Sequence, residues 1–284
     1  MVLPRVLTAL VGAPLFLWVA YLGSIPFFLF VLFLISLALW EFLQMAETGG
    51  YASQGWVTYV AGVLLMLSLA FPGVRLSMPF ASQGPAFVLT FIVFLFLFRE
   101  MVRRDKGLSL LRVAVSLTAL FVIAWPLSHI FLLRDLRGAS SPDLYHVGRN
   151  CLFYLLLLIW AQDIGAWAVG LLFGKRRLAV QISPKKSWEG AAAGLGAALL
   201  TGLLCQSAFL GKILTLPETI ILSLGLGVVA QISDLMESLI KRCLGVKDSS
   251  NLLPGHGGLL DRFDSFLFSA PLLYYYLVMT GRGG

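Results

Sequence analysis

Ser233–Ser265, SDLMESLIKRCLGVKDSSNLLPGHGGLLDRFDS, is the densest run of charge in a chain that is otherwise 59% hydrophobic and only 12% charged. It opens in an apolar helix, leaves it through Lys241 and Arg242, turns through Pro254-Gly-His256-Gly257-Gly258, and enters a second apolar helix behind Asp261 and Asp264. Carboxylates at a membrane edge are costly and mark function by default. Working outward, the 284 residues and a mean hydropathy of +0.90 exclude a soluble globular domain and predict an all-α polytopic membrane protein.

A helix needs on the order of 20 apolar residues to cross a bilayer. On that template nine spans are expected, at 6–22, 25–44, 55–73, 84–99, 108–132, 150–173, 188–210, 217–240 and 261–280. The basic start before the first run resembles a signal peptide, but no small-residue cleavage site separates it from the second run, and a retained span is expected. The first five spans, 1–133, show nothing ionisable deep within them; the last four, 134–284, carry the acids and form the expected catalytic region.

A cytosolic N-terminus places Arg5, Arg99, Arg103, Arg104, Lys106, Arg112, Lys175, Arg176, Arg177, Lys185, Lys186, Lys241, Arg242, Lys247 and Arg262 inside. That is 15 of the 21 basic residues, as the positive-inside rule requires. The net charge of +7 lies in short loops and forms no basic stripe with interleaved aromatics, so it points to lipid headgroups and not to nucleic acid. Cys151, Cys205 and Cys243 have no paired or metal-ligand spacing.

Gln231, Asp234, Glu237, Ser238 and Lys241 fall three or four apart and share one helix face. A Glu237–Lys241 pair at a helix end would explain part of that stripe, but Asp234 lies too deep for it. Asp261 and Asp264, read alone, fit capping or a first-turn acid. Beside Asp234 they offer the hard oxygen ligands that Mg²⁺ takes together with substrate phosphates. The glycines of the loop allow close backbone approach to an anion, in the company of Lys241, Arg242, Lys247, His256 and Arg262. Ser187 reads as an N-cap behind Lys185 and Lys186, an anion site at a helix start or an ordinary basic loop anchored by Trp188. The small residues from Gly190 to Ala198 permit close helix packing, and Asp163, about 15 Å deep, is expected to face the same cavity or to make a structural polar contact.

Ser238, Ile240-Lys241-Arg242, Lys247-Asp248, Ser250, Leu253-Pro254, His256-Gly257-Gly258-Leu259 and Asp261-Arg262-Phe263-Asp264 together resemble the signature of the phosphatidate cytidylyltransferases, or CDP-diacylglycerol synthases. Ser183–Gly190 is similar to a second block of that family, and the resemblance covers about residues 160–265. It implies a membrane enzyme that joins CTP and phosphatidic acid into CDP-diacylglycerol and pyrophosphate. It further implies a dimer, a funnel open to cytosol and lipid, and Mg²⁺, with or without a second ion such as K⁺. On this reading Asp234 and Asp261 hold metal, with Asp163, Glu237 and Asp264 as further ligands. Lys185, Lys186, Ser238, Lys241, Arg242, Lys247, His256, Gly257, Gly258 and Arg262 meet substrate, and Asp248 orients a basic neighbour or accepts a proton. A CTP-dependent polyprenol or dolichol kinase shares much of this nucleotide chemistry. A cation transporter would explain the acids but not the His-Gly-Gly loop.

The charge count generates a topological expectation. Single cysteines placed in Met45–Gln54, Glu100–Gly107, Gly174–Ser187 and Cys243–Leu260, in a chain lacking the native three, should be shielded from an impermeant external thiol reagent in intact cells. Strong labelling of the third or fourth loop would reverse the orientation.

Overall fold

The computed structural model describes residues 3–70, 84–136, 145–252 and 257–282. In chain order its elements are α1 (Leu3–Leu22), α2 (Ser24–Thr48), α3 (Gly55–Ala70), α4 (Gly84–Val102) and α5 (Ser109–Thr118). A π-helical stretch, Ala119–Ala124, carries α5 directly into α6 (Trp125–Arg134). Then follow α7 (Tyr145–Phe173), β1 (Arg177–Ala179), β2 (Ser183–Ser187), α8 (Trp188–Cys205), α9 (Leu216–Cys243), α10 (Leu260–Phe263) and α11 (Phe266–Met279).

The protein is an all-α membrane protein. Among the described residues, six helical segments are long and apolar enough to cross a bilayer: Ser24–Thr48, Gly84–Val102, Ser109–Arg134, His146–Phe173, Trp188–Leu210 and Leu216–Cys243. Leu10–Leu22, Gly55–Ala70 and α11 are shorter apolar helices over the remaining expected spans. The last expected span, 261–280, differs in detail, because the chain breaks between α10 and α11 at Asp264 and Ser265. That break leaves backbone for side chains to use: Ser233 Oγ donates to the Asp264 carbonyl.

The Ser183–Ser187 segment, expected as a loop, is the second strand of a small antiparallel hairpin with Arg177 opposite Ser187 and Ala179 opposite Ser183. The chain closes this hairpin onto the start of α8. Trp188 N donates to Arg176 O at 2.9 Å, while the Glu189 carboxylate accepts from the Lys175 and Arg176 amides at 3.2 Å. Ser187 caps α8, its Oγ accepting from Gly190 N at 3.2 Å.

Close packing of α7 on α8 follows from their small residues. A Cβ at Gly190 would lie 2.7 Å from the Ala166 carbonyl oxygen, and one at Gly194 would lie 3.1 Å from both Ala166 Cβ and Gln162 O. The loop ends of the helices are joined by polar contacts. Gly49, after α2, lies against the Leu244 backbone, and Arg242 Nε donates to Ile182 O in the hairpin at 3.2 Å. At the opposite end Arg134 donates to the carbonyls of Ala20 and Tyr21, and Arg282 pairs with Glu218 at 2.8 Å.

Ionisable side chains near the loop ends of the first five expected spans are buried against the protein itself. Glu41 on α2 is fully buried, and Arg112 of α5 forms a forked pair with Glu100 of α4, Nη2 to Oε2 at 2.9 Å. The pair is extended by Gln54, whose Nε2 donates to Glu100 Oε1 at 2.9 Å and to Phe96 O at 3.0 Å, and by Asp105, whose carbonyl accepts from Arg112 at 2.7 Å.

Removing one member of a buried ion pair leaves the other uncompensated, whereas removing both is far less damaging. Arg112→Met should therefore lower the melting temperature in detergent by more than Arg112→Met combined with Glu100→Gln. Equal or larger loss in the double variant would show that the pair does not brace α4 against α5.

Candidate active site

A cavity of about 740 Å³ lies between α7, the hairpin, α8 and α9. Asp163 and Gln162 enter it from α7, Lys185 and Lys186 from β2, Gln231 and Asp234 from α9, and Ser265 from the break before α11. Trp167 and Leu171, exposed residues of α7, add an apolar wall. The sequence order of these groups explains their meeting. The hairpin projects Lys186 back over α9, where its Nζ lies 2.5 Å from Asp234 Oδ2, each side chain 29% exposed. The Gln231 amide donates to Ala191 O at 3.0 Å and fixes α9 beside α8.

The expected site residues divide into two groups. Asp163, Lys185, Lys186 and Asp234 line the cavity. A second cluster lies further along α9, where Lys241 Nζ sits 2.5 Å from both Glu237 Oε2 and Asp261 Oδ1. Asp261 is engaged on both oxygens: its Oδ1 accepts from Lys241, and its Oδ2 accepts from Ser249 N at 3.0 Å and Gly258 N at 2.9 Å. This carboxylate therefore ties α10 to the loop and to α9, and it is not part of the cavity wall. The Glu237 oxygens are buried and accept no hydrogen bond, their contact with Lys241 being an ion pair out of hydrogen-bond alignment.

Asp264 stands near enough to both groups to be repelled by the carboxylates of Asp234, Glu237 and Asp163. Arg262, exposed on α10, acts electrostatically on Asp163. Ser238 is partly buried on α9 outside the cavity wall, and Arg242 braces the hairpin. Lys247 and Asp248 are exposed on the loop. Gly257 takes φ 77°, with room limited by Asp261 Oδ2 at 2.8 Å from any Cβ. His256 lies outside the described residues.

Among the described residues no three His, Cys, Asp or Glu side chains are grouped closely enough to hold a metal ion by themselves. The donor set nevertheless fits a divalent cation of the magnesium type, which binds through one or two carboxylates and completes its shell with water and phosphate oxygens. Asp163 and Asp234 share the cavity, and Glu237, paired with Lys241 at 2.5 Å, lies one turn further along α9 from Asp234. The residue that sequence reading missed is Glu41, which accepts four hydrogen bonds from the two ends of the signature loop. Its only signal was an acid, Trp40-Glu41-Phe42, inside an apolar helix about two turns before its end.

Comparison with known proteins assigns this arrangement to a family. The Cytidylyltransferase family model matches residues 3–280. The phosphatidate cytidylyltransferase of Bacillus subtilis (strain 168) is 34% identical over 277 residues, spanning 97% of each chain. That of Synechocystis sp. (strain ATCC 27184 / PCC 6803 / Kazusa) is 34% identical over 97% of this chain and 96% of its own. The Haemophilus influenzae protein of the same name is 38% identical over a shorter stretch, 67% of this chain and 79% of its own. With the family model matching nearly the whole chain, and relatives similar end to end, this protein belongs to the cytidylyltransferase family.

Proposed function

We propose that this enzyme transfers CMP from CTP to phosphatidic acid, giving CDP-diacylglycerol and pyrophosphate. The observation that carries the reading is the cavity in which Lys185 and Lys186 face Asp163 and Asp234, beside an apolar wall of Trp167 and Leu171. Basic groups suit phosphates, the carboxylates suit a divalent cation, and the apolar wall suits a lipid held with its headgroup in the polar part. Relatives similar over almost the full length carry the same activity in their name.

A phosphate oxygen of phosphatidate attacks the α-phosphorus of CTP as the bond to the β-phosphate oxygen breaks, so no covalent enzyme intermediate is required. Two anions have to meet, and this repulsion is the barrier that the residues address. Lys186, paired with Asp234 at 2.5 Å, is placed to exchange that carboxylate for a phosphate oxygen, and Lys185 extends the basic wall beside it. Arg262 offsets the negative charge of Asp163. Asp163 and Asp234, with Asp264 and Glu237 behind them, are the residues that would hold Mg²⁺. When bound, the ion would neutralise phosphate charge and stabilise the pyrophosphate leaving group.

The same reading includes nine spans with a cytosolic N-terminus, a catalytic C-terminal region from 134, and a site open to the cytosol of a bacterial inner membrane. The basic-residue distribution supports the orientation. A homodimer, and a second ion such as K⁺, rest on family resemblance alone.

CTP labelled at the α-phosphate or at the γ-phosphate separates the transfer from a kinase reaction. With purified protein and phosphatidate, α-label should enter the lipid and γ-label should leave as pyrophosphate; γ-label in the lipid would replace the reading with phosphorylation. Asp234→Asn should lower turnover at least about a hundredfold, or roughly 2.7 kcal/mol of barrier. Lys186→Ala should raise KM for CTP, since a charge-assisted phosphate contact contributes about 1.5–3 kcal/mol. Unchanged kinetics in either variant would remove that residue from the site.

A further inference from the structure

Every residue lining the cavity comes from positions 162–265, yet the loop beside it is fastened from the other half of the chain. Glu41, towards the C-terminal end of α2, is fully buried. Its Oε1 accepts from Ser250 Oγ at 2.6 Å and Leu259 N at 2.8 Å; its Oε2 accepts from Ser249 Oγ at 2.9 Å and Leu260 N at 2.7 Å. One carboxylate therefore collects both ends of the loop. Among the described residues it forms no ion pair, and these four donors stabilise its charge.

The bonds lead onward to the reacting region. Ser249 also donates to Asp261 through its backbone amide, Asp261 holds Lys241, and Lys241 reaches Glu237 beside the cavity. Gly258 leaves the space that this convergence needs: a Cβ there would collide with Ser249 Oγ and stand 2.7 Å from both Glu41 oxygens. We infer that Glu41 is a positioning residue for the transfer reaction, holding Ser249 and Ser250 beside Leu259 and Leu260 so that Asp261 keeps Lys241 against Glu237. The inference rests on the proposed CMP transfer, because its readout is that reaction.

Glu41→Gln preserves shape but turns an NH₂ group towards N–H and O–H donors, so at least one bond is lost. A displacement of about 1 Å at such a site can cost on the order of a hundredfold in rate. In purified protein, Glu41→Gln should lower kcat for CDP-diacylglycerol formation by about that factor while changing KM for CTP far less. The loosened loop should also be cut faster by trypsin after Lys247, an exposed site on the same loop. Ser250→Ala should shift both readouts in the same direction to a smaller extent, and its effect should shrink when Glu41 is already Gln. Glu41→Asp should recover part of kcat. If Glu41→Gln does not fold, Ser250→Ala carries the test, with lowered kcat and faster cleavage expected.

Wild-type kcat in Glu41→Gln, or in Ser250→Ala where that variant stands in for it, would overturn the inference. So would a kcat loss that is additive with Ser250→Ala and leaves cleavage unchanged. An inactive wild-type protein would instead refute the proposed transfer, which keeps the two failures distinct.

Discussion

Lys241 places one ammonium group between two largely buried carboxylates, Glu237 and Asp261, at 2.5 Å from each. Low-dielectric surroundings make such a group expensive unless charge and hydrogen bonds are matched around it. Much of the C-terminal half can be traced from that requirement. Asp261 completes its shell with Ser249 and Gly258, Ser249 passes the connection to Glu41, and the loop is thereby closed against α2. The outcome couples a helix with no cavity residue to α9, which carries Gln231 and Asp234 of the cavity wall. A lone buried lysine at this point would have lost its charge or its place.

The cavity itself depends on a second constraint, close approach of α7 and α8. Small residues at Gly190 and Gly194 bring the α7 backbone within contact of α8, and α8 begins at the hairpin that carries Lys185 and Lys186. The two lysines are thus set by backbone packing and by Glu189 on the hairpin amides, while Asp163 and Asp234 arrive from the flanking helices. The polar groups are drawn from four elements and an apolar wall stands beside them. This is the arrangement that a soluble nucleotide and a lipid phosphate both need.

Much of this was legible in the sequence because its signals were local. Apolar run length marked the helices, and three-or-four spacing put Gln231 and Asp234 on one face of α9, where they do line the cavity. Ser187 as a cap and the small residues of α8 were likewise readable. The hairpin was hidden because Ser183-Pro184-Lys185-Lys186 has little strand character of its own, and its strand form depends on pairing with Arg177–Ala179. Glu41 was hidden more deeply, since its partners lie more than 200 residues away and no periodicity joins them. Asp261 shows the converse: its charge was evident, but spacing did not reveal that Lys241, Ser249 and Gly258 occupy both its oxygens.

The central claim is that CTP occupies the cavity between the hairpin, α7 and α9. Leu178, on β1, lines that cavity, and its replacement by cysteine in a chain without Cys151, Cys205 and Cys243 provides a direct reporter. The account predicts that CTP with Mg²⁺ slows thiol modification at position 178 in a concentration-dependent way, and that the Lys186→Ala background needs more CTP for the same protection. Modification at an unchanged rate under saturating CTP, in protein that still makes CDP-diacylglycerol, would place the nucleotide elsewhere and contradict it.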